Sequence, residues 1–175
     1  TDSTRLKHEV EAAERVQQSQ MPRVSPPIEN WQVAGWTAQA KQVGGDFHDW
    51  FVTPDDRVLV TLADCLDGGF DAALCASALQ ASLRAFSTTT PLPAPLLQRL
   101  SQSLWTGSAG DLYAHLFCGL IEPNSGRLVY ASAGNLGAIL LSDGDWESLL
   151  KPSLALGIDP ELQYPFAERF LRPGQ

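Results

Sequence analysis

Two hydrophobic periods divide the chain. Over residues 4–20 the apolar positions Leu6, Val10, Ala13 and Val16 recur at three- and four-residue steps, and Glu11 stands four before Arg15. That spacing predicts a helix with a thin apolar stripe, one that calls for a partner. The prolines of MPRVSPP (21–27) end it, because proline cannot continue a helix. From Trp31 the period falls to two. WQVAGWTAQA (31–40) and DFHDWFV (46–52) read as strands joined around Gly44-Gly45, and RVLVTLAD (57–64) reads as a third, apolar on both faces and therefore central. GGFDAALCASALQASLRAF (68–86) predicts a long helix, apolar nearly all round and so buried. PAPLLQRLSQSLW (93–105) predicts an amphipathic helix with Leu96, Leu97, Leu100 and Leu104 on one stripe. Three more strands follow in LYAHLFCGLIE (112–122), GRLVYASAG (126–134) and LGAILLSDG (136–144), punctuated by the turn sequences PNSG and DGD. Strands, two helices, then more strands is not the rhythm of a parallel sheet. It predicts an α+β fold with antiparallel sheet packed on helices.

Composition narrows the partners. The 175 residues are 44% hydrophobic and 18% charged, enough for one domain with a sizeable core. Twenty acids against twelve Lys and Arg leave a net charge of −8, which argues against nucleic acid and against an anionic membrane surface and suits cations. No stretch is long and apolar enough for a membrane span, and the polar start is unlike a secretory signal; three cysteines without a disulfide framework fit a reducing cytoplasm. Cys65, Cys75 and Cys118 lack metal-binding spacing, lie in apolar surroundings and read as small core residues.

Charge is concentrated between positions 46 and 71. Seven aspartates fall there (46, 49, 55, 56, 64, 67 and 71) against one Lys or Arg, Arg57. Asp55 and Asp56 sit in the turn TPDDR, and Asp67 and Asp71 flank the start of the long helix, where they can cap it or complement its dipole. Asp46 and Asp64 are harder to explain as turn formers. Asp64 ends a strand that reads as buried, and a lone buried carboxylate must be paired or bind a metal. The glycine pair before Asp46 allows a tight turn that brings its carboxylate toward the strand ends. Two strand-end aspartates on neighbouring strands can share a hard cation such as Mg²⁺ or Mn²⁺. His48 and His115 alternate with aromatics on strands and read as packed or surface residues; the five tryptophans read as core or rim packing.

VGGDFHDW (43–50) followed by ADCLDGGFDAAL (63–74) resembles the bacterial branch of the metal-dependent protein phosphatases, the stage II sporulation E-like part of the PPM superfamily. The resemblance extends through ERVQQSQMPRVSP, similar to the linker helix of that family, and through LFCGLIEPNSGRLVYASAGN and SLALGI. It implies a four-layer α-β-β-α sandwich with two antiparallel sheets, preceded by a linker helix, dividing the chain into a signalling helix (1–22) and a phosphatase domain (23–175). It further implies two Mn²⁺ or Mg²⁺ ions, with Asp64 bridging them and Asp46 and the backbone carbonyl of Cys65 holding one. A metal-activated water would attack the phosphorus of a phosphoserine or phosphothreonine, with no covalent enzyme intermediate. The implied substrate is a phosphorylated regulator of the anti-sigma factor antagonist type. The implied partners are an upstream sensory or receiver domain and a second copy met through the first helix.

The chain also departs from that pattern. It reaches LRPGQ about where the strand leading to the family's "TDG" carboxylate should begin, so the phosphatase domain is expected to lack its C-terminal part and half of its metal ligands. After Asp64 the family's "VSGKG" is here Cys-Leu-Asp-Gly-Gly, which loses a basic position beside the phosphate, and Asn135 replaces the histidine of "AGH". The alternative to an active phosphatase is a pseudophosphatase that kept the fold as a binding or regulatory module.

Overall fold

A computed structural model describes residues 2–66, 68–108, 111–142 and 144–175. Helix α1 (Asp2–Gln20) precedes strands β1 (Asp46–Val52) and β2 (Val58–Cys65). Helices α2 (Gly69–Ser87) and α3 (Pro93–Gly107) follow, then β3 (Ala114–Glu122), β4 (Arg127–Ala133), β5 (Ile139–Ser142), β6 (Asp145–Ser148) and β7 (Phe166–Phe170). Five strands form one antiparallel sheet in the order β1-β2-β3-β4-β7, and β5 and β6 pair as a second, two-stranded antiparallel sheet. The α+β class and the two antiparallel sheets are those expected from the sequence.

Strand alternation decides where the layers go. Phe47, Leu59, Leu116 and Ala131 point to one face, where α2 and α3 bury Leu79, Leu83, Leu96 and Leu100 against them in the main core. Tyr130, Leu128 and Phe117 point to the other face and pack with Leu140 of β5 and Leu149. An ion pair between Arg169 of β7 and Glu147 of β6 holds the small sheet on that side. Pairing on one side only makes β7 an edge strand, with Phe166 and Phe170 exposed.

Three expectations from the sequence need correction. Residues 31–40 form no strand. Alternate residues there (Trp31, Val33, Thr37, Gln39) are half-buried, so the period of two is real, but it reports an extended segment laid across a sheet face and not a hydrogen-bonded ladder. Its side chains anchor it instead: Thr37 Oγ1 meets His48 Nδ1 at 2.7 Å, and the Trp31 indole donates to the Pro123 carbonyl at 3.1 Å. Gly35 lies so close to His48 and Trp50 that a Cβ would fall 2.4 Å from the imidazole. Second, α2 is not buried all round: Leu74 is 71% exposed and Phe70 is also out. Ala72 and Ala76 pack in the main core against the sheet and let the helix approach, while the opposite side meets solvent. Third, Trp36 (84%) and Trp146 (70%) are exposed and pack in no core. β6 and β7 went unrecognised because four- and five-residue strands carry too few positions to show a period.

One buried charge ties three elements together. Asp49 of β1 points into the main core with its side chain 1% exposed. Arg84 of α2 meets it through Nε–Oδ2 at 2.6 Å and Nη2–Oδ1 at 3.1 Å, Gln80 donates to Oδ2 at 3.0 Å, and the Trp50 amide donates to Oδ1 at 3.0 Å. Gln80 and Arg84 also donate to the carbonyl of Gln20, at 3.1 and 2.8 Å, so the last turn of α1 is capped by the same side chains that neutralise Asp49. No described helix is long and apolar enough to cross a membrane.

Replacing Arg84 by Ala strands a buried carboxylate. The expected cost is about 3 kcal/mol, a fall in Tm of about 6–12 °C for a domain of this size, read by thermal unfolding at neutral pH; an unchanged Tm would show that Gln80 and the Trp50 amide suffice alone.

Candidate metal centre

The register of β1 on β2 sets Asp46 directly opposite Asp64, and the register of β2 on β3 sets Asp64 opposite His115. All three therefore point to the face away from α2 and α3, at the end of the sheet where β1 begins and β2 finishes. The sequence anticipated the two aspartates on neighbouring strands; the register sets them directly opposite each other. Asp46 is exposed and Asp64 half-buried, so Asp64 is not the buried carboxylate its strand suggested; partial desolvation, then the Asp64 charge, raise the Asp46 pKa from its ordinary value.

The turn that delivers Asp46 is built on its two glycines. Gln17 of α1 holds Gly44 by both backbone groups, donating to its carbonyl at 2.7 Å and accepting from its amide at 3.1 Å. Gln39 donates to the Asp46 carbonyl at 2.7 Å, and its amide oxygen lies where a Cβ on residue 44 would be, 1.9 Å away. A Cβ on residue 45 would fall 2.3 Å from the Cys65 carbonyl oxygen, so glycine there leaves that oxygen room. The Gly45 carbonyl accepts from the Cys65 amide at 3.1 Å, which locks the turn to the end of β2.

Asp46, Asp64 and Cys65 line one cavity of about 330 Å³, together with Gln39, Lys41, Leu66, Gly68 and Gly69. Gly68 (φ 68°) and Gly69 (φ 82°) take left-handed conformations that start α2 at the cavity. Asp71 lies in the first turn of α2. Asp67, the other residue expected near this end, is outside the described residues. Two carboxylates and a carbonyl are hard oxygen donors, the chemistry that Mg²⁺ and Mn²⁺ take. Among the described residues no three His, Cys, Asp or Glu side chains gather into one cluster. Lys41 was not singled out from the sequence. It stands five residues from Asp46 in a segment with no regular structure, and only the folded turn puts it on the cavity wall.

His48 and His115 behave differently from the aspartates. His48 stacks on Trp50 at 5.3 Å between ring centroids and is buried under residues 35–37, and burial lowers its pKa. It is a packed residue, as expected. The His115 ring lies over Gly134 (φ 73°), where a Cβ would come within 2.1 Å of it.

Comparison with known proteins places this geometry. Residues 54–175 match the sequence model of the Stage II sporulation protein E (SpoIIE) family. The phosphoserine phosphatase RsbU of Bacillus subtilis is 26% identical over 171 residues, covering 97% of this chain and 51% of RsbU. Protein IcfG of a Synechocystis strain is 26% identical over 196 residues, covering 95% of this chain and 31% of IcfG. The chain thus spans between about a third and a half of these relatives. Among solved structures, the SiaA-PP2C domain of Pseudomonas aeruginosa superposes with a TM-score of 0.82 at 20% identity, over 99% of this chain and 70% of that one. The RsbU and RsbW domains of Rv1364c from Mycobacterium tuberculosis superpose with a TM-score of 0.65 at 22% identity, over 77% and 38%. These neighbours establish a PP2C-like fold. With the family match covering most of the sequence and that fold carrying it, the chain belongs to the stage II sporulation protein E family.

Proposed function

We propose that this domain is a Mn²⁺- or Mg²⁺-dependent phosphoserine/phosphothreonine protein phosphatase, acting in the cytoplasm on a phosphorylated regulator of the anti-sigma factor antagonist type. The observation that carries the reading is the Asp46–Asp64 cross-strand pair, two carboxylates directly opposite each other that a divalent cation would neutralise. Asp46, Asp64 and the Cys65 carbonyl would hold it. When bound, the cation supplies an activated water and offsets charge on the transferred phosphoryl group. One of the chain's own groups suits the anion. Lys41 lies on the cavity wall and would stand in for the basic position missing after Asp64. That RsbU is named a phosphoserine phosphatase favours the same chemistry here.

Helix α1 is the natural regulatory input. Its body leaves Leu6 and Val16 exposed, as a helix meeting a second copy or an upstream sensory domain would. Its end grips the catalytic layer through Gln17 on Gly44 and through Gln20 on Gln80 and Arg84. A shift of α1 is thereby a shift of the turn carrying Asp46.

Three outcomes test this reading. A phosphoserine protein incubated with Mn²⁺ should be dephosphorylated; Asp64→Asn should abolish turnover, and Lys41→Ala should raise KM roughly tenfold, the worth of one hydrogen bond to a charged group. Mn²⁺ binding without turnover would instead favour a binding module that kept the fold. The apo protein should respond to Asp46→Asn according to pH. A carboxyl with a raised folded pKa contributes stability that is present below about pH 4 and lost as pH rises through the folded value. The substitution should therefore raise Tm at pH 7 and lose that gain toward pH 4, while Mn²⁺ at a hundredfold over its Kd should stabilise only the parent, by about 2.7 kcal/mol. A Tm lowered by Asp46→Asn at pH 7 would contradict the repulsive pair. Gln17→Ala should weaken Mn²⁺ binding roughly tenfold in calorimetric titration, without unfolding the sheet; unaltered affinity would disconnect α1 from the site.

A further inference from the structure

Helix α2 carries an apolar line that the fold leaves uncovered. Phe70, Leu74, Ala78 and Ser82 stand four residues apart, so they run down one side of the helix. Phe70 is 54% exposed and Leu74 71%, and Ala78 is exposed as well. Beside this line lies a groove of about 710 Å³ between α2 and α3. Its floor is apolar, made by Cys75, Leu79, Leu100 and Leu104, each buried or half-buried. Its walls are low: Ala78 and Ser82 stand on the α2 side, Ser103 and Gly107 on the α3 side. From Asp71 to Ser82 the α2 wall is about 16 Å long, roughly three helical turns.

Charge sits at one end. The Leu66 amide donates to the Tyr113 carbonyl at 3.0 Å, which brings residues 111–112 beside the segment leading into α2. Asp111 and Asp71 therefore share one mouth of the groove, and both are exposed. Among the described residues no Lys or Arg lines the groove.

We propose that this groove binds a short amphipathic helix of another protein, one with an apolar stripe and with Lys or Arg at the end that meets Asp71 and Asp111. The stripe fills the floor through positions one turn apart, the way a helix docks in an apolar groove. The two acids attract cations to the mouth, repel acids from it and so set the direction of the bound helix. The chain's own α1 does not meet that description. It carries Asp2, Glu9, Glu11 and Glu14 against Arg5, Lys7 and Arg15, and Arg5 and Lys7 are already paired with Glu9 and Glu11. A second copy laying α1 in the groove would set acids against acids. A small molecule fits less well, because such sites enclose their ligand and this rim is open at Leu74. The inference does not depend on the metal centre.

Fluorescence polarisation with the full chain tests it. The probe is a labelled, hydrocarbon-stapled helical peptide with leucines at i, i+4 and i+7 and lysines grouped at one end; the staple removes the cost of ordering a short helix. It should bind saturably, with affinity falling as salt rises. The same peptide with glutamates for the lysines should bind at least about tenfold more weakly. Leu74→Glu and Ala78→Arg, both at solvent-facing positions, should leave Tm unchanged and weaken binding at least about tenfold. Asp111→Lys should weaken the lysine peptide and strengthen the glutamate one. Trp146→Glu, on the small sheet, is the control for general adhesion to bare apolar side chains and should change nothing. No saturable binding, equal binding of the two peptides, or a loss with Trp146→Glu as large as with Leu74→Glu would overturn the proposal. Sedimentation of the chain alone separates self-association: a dimer that Leu74→Glu disperses would assign the groove to a second copy and overturn it as well.

Discussion

Two like charges facing each other across one rung of an antiparallel ladder set the terms for this end of the molecule. Cross-strand neighbours stand close enough for side chains to touch, and carboxylates opposed there destabilise the pairing. The fold nonetheless holds Asp46 and Asp64 together, because β2 is clamped on both flanks and the Gly44-Gly45 turn is fastened to Gln17, Gln39 and Cys65. That strained pair stands on a cavity wall lined also by Lys41 and the start of α2, and this is the ground for the metal centre proposed above.

Asp49 and Asp46 lie three residues apart on one strand yet meet opposite solutions. Alternation turns Asp49 inward, where Arg84 and Gln80 neutralise it with four hydrogen bonds counting the Trp50 amide. The same alternation turns Asp46 outward, where it faces another acid. The inward charge has a structural task, since its partners also cap α1. Among the described residues no Lys or Arg is ion-paired with the outward charge. This contrast separates a charge that holds the fold from one whose neutralisation is left to the proposed cation.

Much of this was legible in the sequence. The α+β order, both long helices, the hairpin of β3 and β4, the buried cysteines and the proximity of Asp46 to Asp64 followed from period, turn residues and charge. Residues 31–40 misled because alternation encodes an extended, half-buried backbone and is silent on whether another strand bonds to it. Asp49 was counted among the acids but not explained, since its partners Gln80 and Arg84 lie more than thirty residues away with no local signature. Lys41 and Gln39 escaped for a related reason: a site assembled by an irregular segment has no period to read. The family resemblance supplied the metal chemistry, and the register of two strands supplied the geometry that makes it reasonable.

The free edge of β7 carries one more consequence. Its unpaired amides and carbonyls invite another chain to continue the sheet, and the bare rings of Phe166 and Phe170 would reward it. Between them stand Glu168, paired with Arg127 at 2.9 Å, and Arg169, paired with Glu147. A newcomer stacking along that border must either cover both ion pairs or pull them apart, so the two charges act as a guard against runaway self-association at the margin of the sheet.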